Sequence, residues 1–170
     1  MVEEIRQADT ITDEEKEWLY NWSEDVFGVT SLDLRFRPKD VHFFMDVGGV
    51  PLSHVSLLRH EIGVDGQRLT VAGLGGVVTR PEAQGKGYAG RLIRHAAEFF
   101  EREWDVDAGM LFCLPRLTPY YESLGWQVIA GPVFIEQPTG RMESPFPALI
   151  LPCRVRAWPE GAVELGSLPW

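Results

Sequence analysis

The sequence predicts an α+β fold (mixed α/β), a central mixed, mostly antiparallel sheet flanked by helices, in one domain spanning residues 1–170. Three observations predict it. Between Val41 and Thr79 the hydrophobic pattern has a period of two and is punctuated by two-residue turn signals. From Ala89 to Phe100 apolar residues recur at spacings of three and four, the period of a helix with one buried face. Helices and strands then interleave, which places the helices against a sheet rather than against one another.

Thr12-Asp13-Glu14-Glu15 reads as a capping box, with Thr12 as N-cap and Glu15 reaching back. The helix it opens puts Trp18 and Trp22 on one face. Pro38 breaks the chain before a first strand over Val41–Val47. Gly48-Gly49 is a hairpin turn, because both positions accept the left-handed backbone that the tightest turns demand. Leu52–His60 is the return strand, Asp65-Gly66 a second turn, and Leu69–Thr79 a third strand. Gly73, Gly75 and Gly76 interrupt that strand, which marks a bulge or a place where another group approaches the backbone. A glycine-rich loop leads into the amphipathic helix, with Leu92, Ile93 and Ala96 at the centre of its apolar face. Met110–Leu114 is wholly apolar, as a central strand is. A short helix ends at Gly125, and strands over Trp126–Ile135 and Ala148–Val155 complete the sheet.

Composition narrows the function. A hydrophobic content of 45% with 24% charged residues is ordinary for a globular chain. No stretch approaches the roughly 20 apolar residues that span a bilayer, and the start, Met1 to Arg6, is acidic without an apolar core. The expected location is the cytoplasm, with no membrane partner. A net charge of −9 opposes a nucleic-acid surface and suits attraction of a cation. Cys113 and Cys153 match neither a zinc template nor a disulfide framework, so two free thiols and no metal are expected. A homodimer is compatible with these features.

The segment from Val77 to Ala89 runs strand, loop, helix. Amides at a helix start have no internal partners and carry the positive end of the helix dipole. Gly85 and Gly87 remove side chains from the approach, and a pyrophosphate is the natural guest. Gly85 to Gly90 also spells G-x-G-x-x-G, but the following strand ends in Cys113-Leu114-Pro115, without the acidic residue a dinucleotide site needs. Antiparallel hairpins before the loop are wrong for that fold as well. A Walker A loop fails because Arg80 stands where a glycine is required.

Gln84-Gly85-Lys86-Gly87-Tyr88-Ala89 resembles the Q/R-x-x-G-x-G/A signature of the GCN5-related N-acetyltransferases, the GNAT superfamily. Tyr121-Glu122-Ser123-Leu124-Gly125-Trp126 is similar to that family's Tyr-x-x-x-Gly-aromatic element. The resemblance implies the GNAT fold, with a splayed strand before the loop, and transfer of an acetyl group from acetyl-CoA to the primary amine of a small polar acceptor. It implies that Gln84, Gly85, Lys86, Gly87, Tyr88 and Ala89 hold the coenzyme A pyrophosphate, and that Val77, Val78 and Thr79 run beside the pantetheine arm. Tyr121 takes the general-acid place, protonating the departing thiolate, with Tyr120 as the adjacent alternative. The stretch Gly73 to Gly76 holds no carboxylate to act as base; His54 is the candidate relay, with Glu61 and Glu82 as further candidates. A non-catalytic acyl-CoA-binding sensor is the alternative function, and a Cys113 nucleophile a third.

Within the superfamily, Ser53-His54-Val55-Ser56-Leu57-Leu58, Asp65-Gly66, Gly76-Val77-Val78, Gly131-Pro132, Pro138-Thr139-Gly140, Leu149-Ile150-Leu151-Pro152 and Trp170 resemble the aminoglycoside 2′-N-acetyltransferases. The middle segment is also similar to nodulation-factor N-acyltransferases, which acylate an aminosugar. This implies an aminosugar, aminoglycoside-like or polyamine acceptor, met by Gly75, Gly76, Glu143 and Trp170. Two departures stand out. The acidic residue those enzymes carry beside Gly76 is Gly75 here, and their acid-rich loop is reduced to Glu143. A terminal carboxylate on Trp170 would stand in for one of the lost acids.

Overall fold

Two left-handed turns shape the structure, a computed structural model that describes residues 1–170. Gly48 and Gly49 have φ of +58° and +82°, and Asp65 and Gly66 have +50° and +71°. Positive φ at both central residues twists a hairpin the way its strands twist. The first half of the chain is β1 (Glu3–Ala8), α1 (Asp13–Tyr20), β2 (Val41–Val47), β3 (Val50–Val64) and β4 (Gln67–Thr79). The second half is α2 (Tyr88–Phe99), β5 (Ala108–Phe112), α3 (Thr118–Ser123), β6 (Gln127–Val128), β7 (Val133–Gln137), β8 (Gly140–Glu143), β9 (Ala148–Pro152) and β10 (Val163–Glu164).

The strands form one sheet in the order β6-β9-β5-β4-β3-β10-β7-β8, with β2 and then β1 added beside β3. β3 is long enough to serve two neighbours on one edge: Val50 to Leu57 pair with β2, and Gly63 and Val64 pair with β10. Only β4–β5 and β7–β10 are parallel. Adjacent residues of the central strands enter different cores, as the pleat requires. Leu57, Leu74 and Leu111 pack with Leu92, Ile93 and Ala96 of α2. Leu58, Val71 and Met110 pack with Val133, Ile135 and Trp170 on the opposite side. The sheet is therefore buried on both faces, as the apolar central strand predicts.

The capping box forms as expected: the Thr12 hydroxyl accepts from the Glu15 amide at 3.1 Å, and Glu15 accepts from the Thr12 amide at 3.0 Å. The helix stops at Tyr20, with Asn21 as its C-cap, so Trp22 lies beyond it and Leu19 is its buried residue. β1 has no counterpart in the expectation; it is a mostly exposed edge strand, tied down by Arg6 pairing with Asp46 at 2.7 Å. The single strand expected over Trp126–Ile135 is two, β6 and β7, broken at Gly131-Pro132. There the chain crosses a distant segment so closely that a Cβ on Gly131 would lie 2.5 Å from the Gly161 carbonyl oxygen. No helix is long and apolar enough to cross a membrane.

Candidate active site

The site begins with a defect in β4. Ser56 pairs with Gly75 and His54 with Val78, so Gly76 and Val77 oppose Val55 alone. This is a β-bulge, one extra residue that bends its strand. Gly76 takes φ +60°, and a Cβ there would lie 2.7 Å from Ser56 Oγ and 3.2 Å from Tyr20 Oη. Its carbonyl is held from behind: the Tyr20 hydroxyl donates to it at 3.1 Å and the His54 Nδ1–H at 2.8 Å. With Nδ1 so engaged, His54 Nε2 accepts from His42 Nδ1 at 2.9 Å. His54 is 1% exposed, and burial pushes its pKa down to about 3. It stays neutral and fixes the bulge from the side away from the cavity.

On the other edge, β4 pairs with β5 from Val71–Ala108 to Leu74–Leu111 and no further. From Gly75 to Thr79 that edge has no strand beside it. A cavity of about 250 Å³ occupies the splay. Gly75, Gly76 and Val77 form one wall, and Cys113, Leu114 and Tyr121 another. Phe27, Val29, Phe36 and Phe146 continue the apolar lining, with Trp170 closing one side.

The turn at the end of α3 positions Tyr121. Gly125, at φ +95°, ends that helix, and the Trp126 amide donates back to the Tyr121 carbonyl at 3.1 Å. The Trp126 ring is buried against Phe100, above Gly109, where a Cβ would lie 2.9 Å from it. Tyr121 is itself buried, and its hydroxyl has no hydrogen-bond partner within the protein. Burial, followed by Cys113 and Tyr120, raises its pKa well above the ordinary phenol value, so the proton is retained. Burial likewise pushes the Cys113 thiol up to about 11. It is a thiol rather than a thiolate, which argues against Cys113 as a nucleophile.

One charged side chain lines the cavity: Lys39. Its stem crosses Gly75, where a Cβ would lie 2.8 Å from Lys39 Cε and 3.0 Å from the Trp170 carbonyl carbon. No carboxylate side chain pairs with it, and burial pushes its ammonium down to about 8.

β4 leads directly into the loop before α2. Gly85 and Gly87 both have φ of +80°, and at each of them nothing lies within 4 Å of where a Cβ would be. The Gln84 amide donates to Pro81, and the next amide with a backbone acceptor is that of Arg91. The N–H groups of Gly85 through Gly90 are thus free of backbone acceptors, at the start of a 12-residue helix. This open cradle suits an anion such as a pyrophosphate. The Gln84 side chain ties the loop to β4, donating to the Thr79 carbonyl at 3.1 Å. Tyr88 is buried and donates to Glu3 at 2.9 Å, Ala89 is half-buried, and Lys86 is exposed.

Of the residues expected from the sequence, the cavity brings together Gly75, Gly76, Val77, Tyr121 and Trp170. Val78 turns the other way and packs on Leu19 and Phe44, while the Thr79 hydroxyl bonds Ser53 at 2.8 Å. Glu143 is exposed on β8, opposite Phe134, and does not line the cavity. Glu61 and Glu82 are occupied by Arg68 and Arg80. Tyr120 is 40% exposed beside Tyr121. Sequence reasoning missed Lys39, the phenylalanines before and after it in the lining, and the partners of His54, namely Tyr20 and His42.

Comparison with known proteins identifies the family. The chain matches the family described as acetyltransferase (GNAT) domain over residues 7–129, more than half its length. Among solved structures, it resembles the GNAT family N-acetyltransferase YhbS from Escherichia coli in complex with CoA: TM-score 0.61, 18% identity, 96% of this chain and 89% of that one. It also resembles a GNAT family acetyltransferase from Brucella melitensis in complex with acetyl-CoA: TM-score 0.56, 18% identity, 95% and 94% covered. Escherichia coli ElaA aligns at TM-score 0.59 and 14% identity, over 88% and 98%. At such identities the structures speak to the fold alone, and it is the same fold: a mixed, curled sheet with few helices. No curated protein matches the chain. From the family match over most of its length, together with the bulged and splayed fourth strand, the chain belongs to the GNAT acetyltransferase family.

Proposed function

We propose that the protein is an acyl-CoA-dependent N-acyltransferase that moves an acetyl group from acetyl-CoA to the primary amine of a small acceptor. One observation carries the reading: a loop of free amides, an unpaired strand edge and a phenol without a partner follow one another from the α2 start into the cavity. Two solved structures of the same fold hold CoA or acetyl-CoA, which supports an acyl-CoA ligand for this chain.

Acetyl-CoA supplies an activated thioester carbonyl. The amides from Gly85 to Gly90 bind its pyrophosphate, and the free β4 edge orients the arm behind it. The amine attacks directly: the N–C bond forms, the C–S bond breaks, and the Tyr121 phenol gives its proton to the departing sulfur. A free base is not required in the cavity. The desolvation that lowers Lys39 to about 8 acts on any amine entering beside it, and favours the neutral, nucleophilic form. The amine proton leaves to solvent.

Aminosugars and polyamines are the acceptors that the sequence resemblance favours. The cavity offers such cations aromatic faces, but also one positive side chain and no acidic one. This favours an acceptor with little positive charge of its own. The same lack of a carboxylate or imidazole in the lining is what a non-catalytic acyl-CoA sensor would share. Thiol release from acetyl-CoA against a panel of amines separates the two readings. Amine-dependent release well above background hydrolysis is expected; tight coenzyme A binding with no such release would leave the sensor.

A further inference from the structure

We infer that the cavity takes the apolar body of the acceptor, a primary alkyl or arylalkyl amine with a single cationic group, and that Phe27 and Phe36 select it at the cavity mouth. The inference rests on the acyltransferase reading and names the substrate class of that same site.

Aromatic rings dominate the lining: Phe27, Phe36, Phe112, Tyr121, Phe146 and Trp170. Few groups there can answer a polar ligand. The Trp170 Nε1–H is taken by the Met110 carbonyl. Lys39 Nζ and the main-chain carboxyl carbon of Trp170 sit together at one corner, 3.4 Å and 3.0 Å from the position a Gly75 Cβ would take. Beyond that corner, Tyr121 and Cys113 carry the remaining polar side-chain groups of the lining. The hydroxyls of a sugar, or the second ammonium of a polyamine, would lose water there without gaining partners. A hydrocarbon body gains by leaving water.

The cavity also has an entrance of its own. After α1 the chain crosses from the β4 side to the β5 side. Tyr20, which bonds the Gly76 carbonyl, packs on Phe27 with ring centroids 5.6 Å apart. One residue on, a Cβ on Gly28 would lie 3.0 Å from Leu114 Cδ1, just past β5. This segment roofs the splay, and Phe36 extends the roof against Phe146, with ring centroids 6.4 Å apart. Phe146 is 7% exposed, whereas Phe27 and Phe36 are 41% and 38% exposed. These two rings therefore stand at the solvent end of the cavity, and no residue of the loop from Gln84 to Gly90 lines it. An acyl chain arrives on coenzyme A from that loop and needs no second mouth; a separate acceptor does. In the reaction the N–C bond forms, the C–S bond breaks and one amine proton leaves to solvent. The sulfur takes the Tyr121 proton, and the phenol is reprotonated from solvent. The products are an N-alkyl acetamide and the coenzyme A thiol.

The test measures kcat/KM at saturating acetyl-CoA for the alkylamines from propylamine to hexylamine, 2-phenylethylamine, glucosamine and spermidine. In wild type it should rise about 4-fold per added methylene, the transfer term of one buried CH₂. Hexylamine and 2-phenylethylamine should lead glucosamine and spermidine by at least about 100-fold, because the polar acceptors strand unpaired groups. Phe27→Ser and Phe36→Ser change half-exposed rings, so both should fold. Each should lower kcat/KM for 2-phenylethylamine by about 10-fold through lost apolar contact, with the KM for acetyl-CoA unmoved, and Phe36→Leu should retain most of the activity. A flat alkylamine series, or glucosamine or spermidine ahead of hexylamine, would overturn the inference. So would a preference for hexanoyl-CoA over acetyl-CoA that Phe36→Ser abolishes, since the cavity would then hold the donor's chain. A second readout needs no turnover. With coenzyme A present, N-hexylacetamide should raise the melting temperature of wild type more than that of Phe27→Ser or Phe36→Ser, and N-acetylglucosamine should protect none of them. Protection by N-hexylacetamide that depends on these rings, with no turnover of any amine, would refute the acyltransferase reading and leave the apolar site standing. Turnover of amines with no dependence on chain length or on these rings would do the reverse.

Discussion

At the scale of single residues, the proposed chemistry turns on one proton. Tyr121 holds it at a raised pKa, so the phenol stays protonated until the proposed reaction forms a thiolate beside it, whose own basicity the same burial would raise. Tyr121→Phe keeps the packed ring and removes a hydroxyl that bonds to nothing in the protein. The melting temperature and the KM for acetyl-CoA should move little, while kcat should fall by about 10²–10⁴-fold. Steady-state kinetics decide the matter, since a kcat within a few-fold of wild type would mean that another group protonates the sulfur. Tyr121 was legible in the sequence because its spacing to Gly125-Trp126 has a local cause, the turn that ends α3. Lys39 was not, because nothing near Pro38 marks a cavity assembled from β4, β5 and Trp170. His54 was legible as a histidine in a strand, but only its burial shows that it serves the backbone of Gly76.

At the scale of elements, the junction of β4 with α2 is the part most clearly written in the sequence. Glycines at 75, 76, 85 and 87 announce a bulge and an open loop, and both are present. Gly87 is the N-cap of α2 in a left-handed conformation, with open space where a side chain would start. Gly87→Glu should therefore fold, at a backbone cost of about 1–2 kcal/mol. Its carboxylate would point into the open cradle and repel the pyrophosphate proposed to bind there. Titration calorimetry should show the Kd for coenzyme A raised at least about 100-fold, as several charge-assisted hydrogen bonds worth about 1.5–3 kcal/mol each are lost. Wild-type affinity in a folded Gly87→Glu protein would place the pyrophosphate elsewhere. Elements whose limits are set locally, such as the β2–β3 and β3–β4 turns, were readable for the same reason as this loop. The break between β6 and β7 was not, since it answers to Gly161, which is far along the chain. β1 escaped because an exposed edge strand needs no alternating apolar pattern.

At the scale of the whole molecule, one side chain joins the second core to the cavity. The Trp170 indole lies over Gly73 of β4, where a Cβ would come within 2.4 Å of the ring. Its Nε1–H donates to the Met110 carbonyl of β5 at 3.2 Å, and its ring meets His60 of β3 and Phe112 of β5 edge-on. Three central strands thus meet one residue that is 4% exposed and also walls the cavity. Trp170→Ala should cost about 3–5 kcal/mol, the usual penalty for emptying an aromatic site. At about 2–4 °C per kcal/mol for a chain of this size, the melting temperature should drop by about 6–20 °C. Trp170→Phe retains most of the ring contact and loses the donor to Met110, so about 1–2 kcal/mol is expected. Gly73→Ala should be damaging with Trp170 in place and much milder in Trp170→Ala, because its Cβ would then enter the vacated space. That non-additivity, read from thermal denaturation of the two single variants and the double variant, identifies the contact rather than general fragility. The acceptor KM should rise in Trp170→Ala more than the KM for acetyl-CoA, since the indole walls the cavity proposed to take the acceptor and not the loop at Gly85 to Gly90. Additive effects of Gly73→Ala and Trp170→Ala would show that the two residues do not meet, and equal shifts in the two KM values would show that Trp170 has no share in the site.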